Sequence, residues 1–305
     1  MKKKANSCAF IAAKILRKLK LKKISKNFNT VRHNEIREVL NGTFEKVYET
    51  IRCNKHLPFD KGMYRYVWVF WWQGETQMPL LVKCCYASLK KQMSDKQVIL
   101  ITKNNIREYC TFPDYILKKH QEGKITLTHL SDILRFDLLS HYGGLYTDAT
   151  VFWTGNIQTK QFENLYTCGG YSDEYYFNVS MGRWTGFLIG GCKGNPLFSF
   201  MYDFFLEYWK QWDELIDYFL IDYALNFAYE NNIGGFKDYV DNIGMLNNPN
   251  LFKLMEIRNQ VYTEKVKKEL ESNTYAFKLS YKKKFNERKD TYANRIIFSG
   301  TDGEV

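Results

Sequence analysis

The residue types best suited to chemistry in this 305-residue chain crowd into one stretch. Ser131-Asp132-Ile133-Leu134-Arg135 is followed by Tyr142-Gly143-Gly144-Leu145-Tyr146-Thr147-Asp148-Ala149-Thr150. Asp132 and Arg135 stand three apart, so on one helix they share a face. The double glycine lets the chain reverse tightly, and the strand after it can carry Asp148 back towards that face. Carboxylate, guanidinium and carboxylate brought together suit a sugar diphosphate. A carboxylate accepts hydrogen bonds from sugar hydroxyls, Arg pairs in a fork with phosphate oxygens, and a second carboxylate can hold a divalent cation against the pyrophosphate. Spacing alone leaves the alternative open that Asp132–Arg135 is an ordinary surface pair and Asp148 a turn residue.

The elements that would position these residues read as follows. Residues 66–72 and 97–102 are short and almost wholly apolar, the pattern of buried strands. Pro79 opens a helix to about residue 92, and another follows near 113–120. Helix 131–142 is closed by Gly143-Gly144, strand 145–153 is interrupted at Asp148, and 187–190 is a further strand. Helices are predicted over 31–53 with a break at Asn41-Gly42, and over 196–209, 212–229 and 251–270. Residues 274–279 and 295–298 read as short strands. Strand alternating with helix argues for an α/β fold with a mainly parallel sheet, which binds ligands beyond its strand ends. Trp71, Trp72, Gln73 and Gly74 stand at one such end.

The S-D-x-L-R block followed by Y-G-G-L-Y-x-D-A-T resembles the capsular-polysaccharide-synthesis glycosyltransferases, which are related to the D-x-D sugar transferases of glycosyltransferase family 32. The resemblance runs over about residues 65–285 and takes in W-W-Q-G at 71–74, residues 97–102 and Lys278-Leu279-Ser280-Tyr281-Lys282. It implies a GT-A, Rossmann-like fold with a mixed, mainly parallel sheet and added helices. It also implies transfer of a hexose-type unit from a nucleotide sugar to a lipid-linked or oligosaccharide acceptor of a bacterial surface polysaccharide, with retention of configuration. Asp132 would grip sugar hydroxyls, Arg135 the sugar or diphosphate, and Trp71 or Trp72 the base. Lys278 would neutralise diphosphate. Asn178 is the candidate for the sugar's far face, where a double displacement would need a nucleophile. Asp148 stands at the first acid of D-x-D and Thr150 at the second, so a Mn²⁺ or Mg²⁺ ion is expected at Asp148 and Thr150. Asp173-Glu174 or Asp222 would supply the missing acid. Thr150 keeps a second reading open, a sugar-nucleotide-binding relative that has lost activity.

Charge separates the chain into two parts. The net charge is +11, and residues 1–34 hold eleven Lys or Arg and no acid, so the remaining 33 bases are matched by 33 acids. A nucleic-acid enzyme would spread basic charge along a groove, so no nucleic-acid partner is expected beyond what a basic tail could hold. Ile11, Ile15 and Leu19 lie one helical turn apart among Arg17, Lys18, Lys20 and Lys22, which reads as a basic amphipathic segment for an anionic membrane surface, or else as a disordered tail. Seven cysteines without a C-x-x-C pair suit free thiols, and no run of 18 apolar residues occurs. The expectation is a cytoplasmic protein, peripheral on the inner membrane face, with residues 35–305 forming the GT-A domain and a helical or irregular C-terminal extension. The Asp132–Arg135 helix face is expected to be partly exposed and tolerant of alanine.

Overall fold

The computed structural model describes residues 7–53, 65–157, 162 and 164–299. Lys2, Lys3 and Lys4 of the basic segment and residues 300–305 of the C-terminal extension lie outside them. In chain order the elements are α1 (Ser7–Lys18), α2 (Lys22–Cys53), β1 (Tyr66–Phe70), α3 (Leu80–Gln92), β2 (Gln97–Ile101), α4 (Ile106–Tyr109), α5 (Asp114–Gln121), α6 (Leu127–Tyr142), β3 (Gly144–Thr147), β4 (Val151–Trp153), β5 (Leu165–Thr167), β6 (Leu188–Gly191), α7 (Pro196–Gln211), α8 (Leu220–Glu230), α9 (Phe236–Asn242), α10 (Lys253–Ile257), α11 (Glu264–Leu270) and β7 (Ala276–Lys278).

The central sheet has the order β2-β1-β3-β6-β5. β1 pairs in parallel with β2 and with β3, while β6 runs antiparallel to both β3 and β5. Four strands therefore share one direction and β6 alone is reversed, which makes the mixed, mainly parallel sheet of an α/β fold that the strand–helix alternation predicted. Period-2 alternation divides the core. Val67, Val69 and Leu145 pack with Val82, Tyr86 and Leu89 of α3 on one face. Trp68 and Tyr146 face the larger cluster built from α2, α6, α7 and α8. A two-stranded antiparallel ribbon, β4 with β7, stands apart from the main sheet.

Several expected boundaries move. α2 is continuous through Asn41-Gly42 and across residue 34, so the second half of the basic segment, from Lys22, is one helix with the body. Its buried polar face explains why. Arg32 is buried against Asp217 at 3.4 Å and donates to the Phe177 carbonyl, while His33 Nδ1 lies 2.8 Å from the Tyr223 hydroxyl. Burial lowers the His33 pKa to about 4, so the ring stays neutral there. The helix predicted from 212 starts only at Leu220, because Asp217 and the Tyr208 hydroxyl take backbone donors of the preceding loop. The 251–270 pattern splits into α10 and α11, and 293–297 is a π-helical turn rather than a strand.

Glycine is required where β3 begins. Gly144 has φ +103°, and a β-carbon there would lie 2.4 Å from the Tyr66 carbonyl oxygen; at Gly42, within α2, nothing lies within 4 Å of one. Gly144→Ala is therefore expected to destabilise the protein by roughly 2 kcal/mol or more, combining left-handed strain with a backbone clash. Gly42→Ala is expected to stabilise it by about 0.5–1 kcal/mol. Urea denaturation midpoints of the two variants should move in opposite directions.

Candidate active site

α6 is apolar on nearly every side, and its buried residues include Asp132, Arg135 and Asp137. Thr126 caps its start by accepting from the His129 amide, and Gly143, at φ +68°, closes it by donating to the Leu139 carbonyl. β3 then runs back beside α6. Its alternation sends Tyr146 and Asp148 to the α6 side, where the Tyr146 hydroxyl meets Ser131 Oγ at 2.7 Å. The Asp148 amide is fixed by the Phe187 carbonyl. Lys278 arrives from the other end of the domain. β7 pairs it with Val151, the Leu279 amide donates to the Thr150 carbonyl, and its own amide donates to the Leu251 carbonyl.

These elements assemble an alternating row of charge. Asp132 Oδ1 accepts from Arg135 Nη1 at 2.9 Å, and Arg135 Nη2 reaches Asp148 Oδ1 at 3.5 Å. Lys278 Nζ donates to Asp148 Oδ2 at 2.5 Å and to Thr150 Oγ1 at 2.9 Å. Aromatic faces back both cations: Tyr146 lies 4.5 Å from the guanidinium and Phe187 4.4 Å from the ammonium. The inner pair is closed off, with the Asp132 and Arg135 side chains 9% and 4% exposed, and the outer pair is more open, with Asp148 at 30% and Lys278 at 20%. The Asp148–Lys278–Thr150 end is thus the one open to a ligand.

Burial sets the electrostatics. It raises the Asp132 pKa against the opposing pull of Arg135. Burial disfavours the charge of Arg135, yet Asp132, Tyr146 and Asp148 together raise its pKa. Asp222, which accepts from Trp184 Nε1 at 3.0 Å, is pushed up to about 7 by burial, an effect that the Trp184 hydrogen bond opposes. It therefore changes charge near neutrality in the surroundings of Asp132 and Arg135. Trp71 Nε1 is buried without a hydrogen-bond partner, which leaves a donor there for a hydroxyl-rich ligand.

The structure brings together Asp132, Arg135, Asp148, Thr150 and Lys278. Trp71 and Trp72 diverge as strand alternation requires. Trp71 meets Tyr281, three residues beyond Lys278, edge-on at 5.8 Å, whereas Trp72 packs against His120 at 5.2 Å. Gln73 is exposed, and Gly74 turns the chain at φ +88°. Asn178 is placed differently: its amide and side chain both donate to Asp173, in the loop that α2 binds. Glu174 pairs with Lys22 at 2.6 Å, so of the acids suggested to complete the site Asp222 is the one beside the row. Tyr146, Phe187 and Tyr218 were not anticipated. Tyr146 was within reach, two residues from Asp148 on one strand face; Phe187 and Tyr218 lie in loops where the sequence read a strand at 187–190 and a helix at 212–229.

The expected partial exposure of the Asp132–Arg135 face is overturned. Both residues are buried, at 6% and 3% exposure, because α6 is enclosed by α7, β1 and β3. Alanine at 135 would leave a buried carboxylate without its counter-ion, at a cost of about 3–5 kcal/mol. Arg135→Ala is expected to lower the denaturation midpoint far more than Asp148→Asn, whose carboxylate reaches solvent. Equal midpoints would mean that the row does not support the fold.

The model of the family described as "Capsular polysaccharide synthesis protein" matches residues 15–296. A solved structure described as "PaToxG Glycosyltransferase" is similar at 16% identity and a TM-score of 0.39, over 80% of this chain and 95% of that one. Among curated proteins, "Kunitz-type serine protease inhibitor vestiginin-2" of Demansia vestigiata is 50% identical over 30 residues. That is 10% of this chain and 36% of the inhibitor's length.

Proposed function

This chain belongs to the capsular polysaccharide synthesis protein family, and on that footing we propose that it is a glycosyltransferase using a nucleotide-sugar donor to extend a capsular or related surface polysaccharide. The observation that carries the reading is the graded row Asp132–Arg135–Asp148–Lys278, buried at one end and open at the other. Asp132, fixed by its own helix, accepts from sugar hydroxyls, and Arg135 and Lys278 meet the diphosphate oxygens. Trp71, beside Tyr281, offers a face for the base. In the reaction the bond from the anomeric carbon to the diphosphate breaks, with its electron pair leaving on the phosphate oxygen. An acceptor hydroxyl forms the new bond, and its proton passes to the departing diphosphate. Attack on the same face retains configuration and asks of the protein only positioning and stabilisation of that leaving group. With Asn178 held by Asp173, the same-face route is favoured over a double displacement through that residue.

The donor is found by melting-temperature shift across a panel of nucleotide sugars, since a ligand that binds only the folded state raises the midpoint. With the donor that shifts it most, Asp148→Asn is expected to lower donor hydrolysis about 100-fold or more, equivalent to roughly 2.7 kcal/mol of transition-state stabilisation. Undiminished turnover would remove Asp148 from the mechanism. Binding without hydrolysis or transfer by the unaltered protein would favour the inactive relative.

We also propose that the α1–α2 hairpin holds the enzyme on an anionic membrane, at the inner face, where a lipid-linked acceptor would be presented. Ile11, Ile15 and Leu19 are more than half exposed, as is Ile24 on α2. Next to them an open groove of ≈ 530 Å³ is lined by Lys14, Arg17, Lys18 and Lys20 together with Tyr175 and Phe177. Apolar points set among ammonium groups suit the headgroup layer, at about 1 kcal/mol per basic side chain. Among the described residues no helix is long and apolar enough to cross a membrane. Replacing Ile11, Ile15 and Leu19 together by Ser is expected to release the protein from phosphatidylglycerol vesicles and leave its melting temperature unchanged. Undiminished co-sedimentation would sink this anchor.

A further inference from the structure

We propose that the donor diphosphate is bound here without a divalent cation, because the Lys278 ammonium occupies the place of one. The idea rests on the nucleotide-sugar reading above and concerns the charge that faces the diphosphate. A two-acid D-x-D motif brackets a metal between its first and third side chains. Here those positions are Asp148 and Thr150, and Lys278 Nζ lies between them, 2.5 Å from Asp148 Oδ2 and 2.9 Å from Thr150 Oγ1. This is not a surface lysine caught in passing. β7 sets its register against β4, backbone hydrogen bonds lock the residues on either side, and the ring of Phe187 supports the ammonium.

The donor set does not fit Mn²⁺ or Mg²⁺. Mg²⁺ is commonly held by one or two carboxylates with waters and substrate phosphates, but here Lys278 sits on the outward oxygen of Asp148, and the threonine hydroxyl beside it brings no charge. Asp132 is buried with its Oδ1 on Arg135, and Asp222 is half-buried with its Oδ1 on Trp184. Among the described residues no group of three or more His, Cys, Asp or Glu could hold a metal. The charges of Asp132, Arg135, Asp148 and Lys278 already sum to zero, and burial disfavours the charge of the further acid beside them, Asp222. An ammonium has three hydrogens. Two serve Asp148 and Thr150, and the third is left for a phosphate oxygen. The loop beyond adds exposed Lys282, Lys283 and Lys284, with Lys282 Nζ 6.0 Å from the ring of Tyr281, which itself meets Trp71. Lys282 thus adds a cation beside the ring that meets the tryptophan proposed for the base.

The test begins with Mn²⁺ alone, followed by electron paramagnetic resonance on the unaltered protein. No site filled at millimolar metal is expected. In Thr150→Asp/Lys278→Met, which restores the second acid and removes the ammonium, binding at least 10-fold tighter should appear. A submillimolar Mn²⁺ site in the unaltered protein that Asp148→Asn abolishes would overturn the proposal, whatever the variants do. In parallel, UDP, GDP, CDP, dTDP and ADP are tested by melting-temperature shift in EDTA and in Mn²⁺. The nucleotide that binds is expected to give the same shift in both, reduced in Lys278→Met and kept in large part by Lys278→Arg. A shift that needs Mn²⁺ also overturns the proposal. If no nucleotide shifts the midpoint under either condition, the donor reading falls instead, and the Mn²⁺ spectrum still decides the question of the cation.

Discussion

A guanidinium taken out of water must be surrounded by compensating charge, and Arg135 is held at 3% exposure. That demand organises the middle of the molecule. Asp132 compensates from the same helix and Asp148 from the adjoining strand, so α6 and β3 are held in one relative position by charge as well as by packing. The turn between them must then be as tight as backbone allows. This accounts for two consecutive glycines at positive φ, one against the Lys193 amide and the other against the Tyr66 carbonyl. Asp148 is left with one oxygen facing outwards, and Lys278 takes it. Each charge is the reason for the next, from the interior to the surface.

The basic N-terminal segment is joined to this centre more closely than its composition suggests. Phe10 of α1 stacks on Tyr218 at 5.2 Å and meets Phe177 and Phe219. Arg32 of α2 pairs with Asp217 in the same loop. Tyr218 edges on to His129, one turn before Asp132. The hairpin proposed to touch lipid therefore buttresses a loop that borders the active row, and the two surfaces are joined by packed aromatic rings.

Much of the scaffold was legible because it rests on local rules. The strands at 66–70 and 97–101 are continuous apolar runs, α3 starts behind a proline, and α6 ends at Gly143. The core block also placed Asp132, Arg135 and Asp148 correctly, since an i,i+3 spacing and a glycine turn fix their geometry over a short distance. What escaped reading depends on distant partners. The 212–219 stretch carries a helical pattern but spends its backbone donors on Asp217 and Tyr208. The burial of the Asp132 face came from α7 and the sheet. Lys278 looked like one member of a lysine run, and only the β4–β7 register separates it from Lys282, Lys283 and Lys284.

That register has a consequence for the order in which the protein becomes complete. Lys278 follows Asp148 by 130 residues. A ribosome adding about 5–20 residues per second exposes α6 and β3 on the order of ten seconds before β7 exists. Throughout that interval the nascent chain can pair Asp132 with Arg135, yet the outer oxygen of Asp148 has no ammonium to meet. The buried Asp132–Arg135 pair is synthesised first, and the ammonium that closes the row is synthesised last. A chain interrupted anywhere between the two carries the inner ion pair without the outer one.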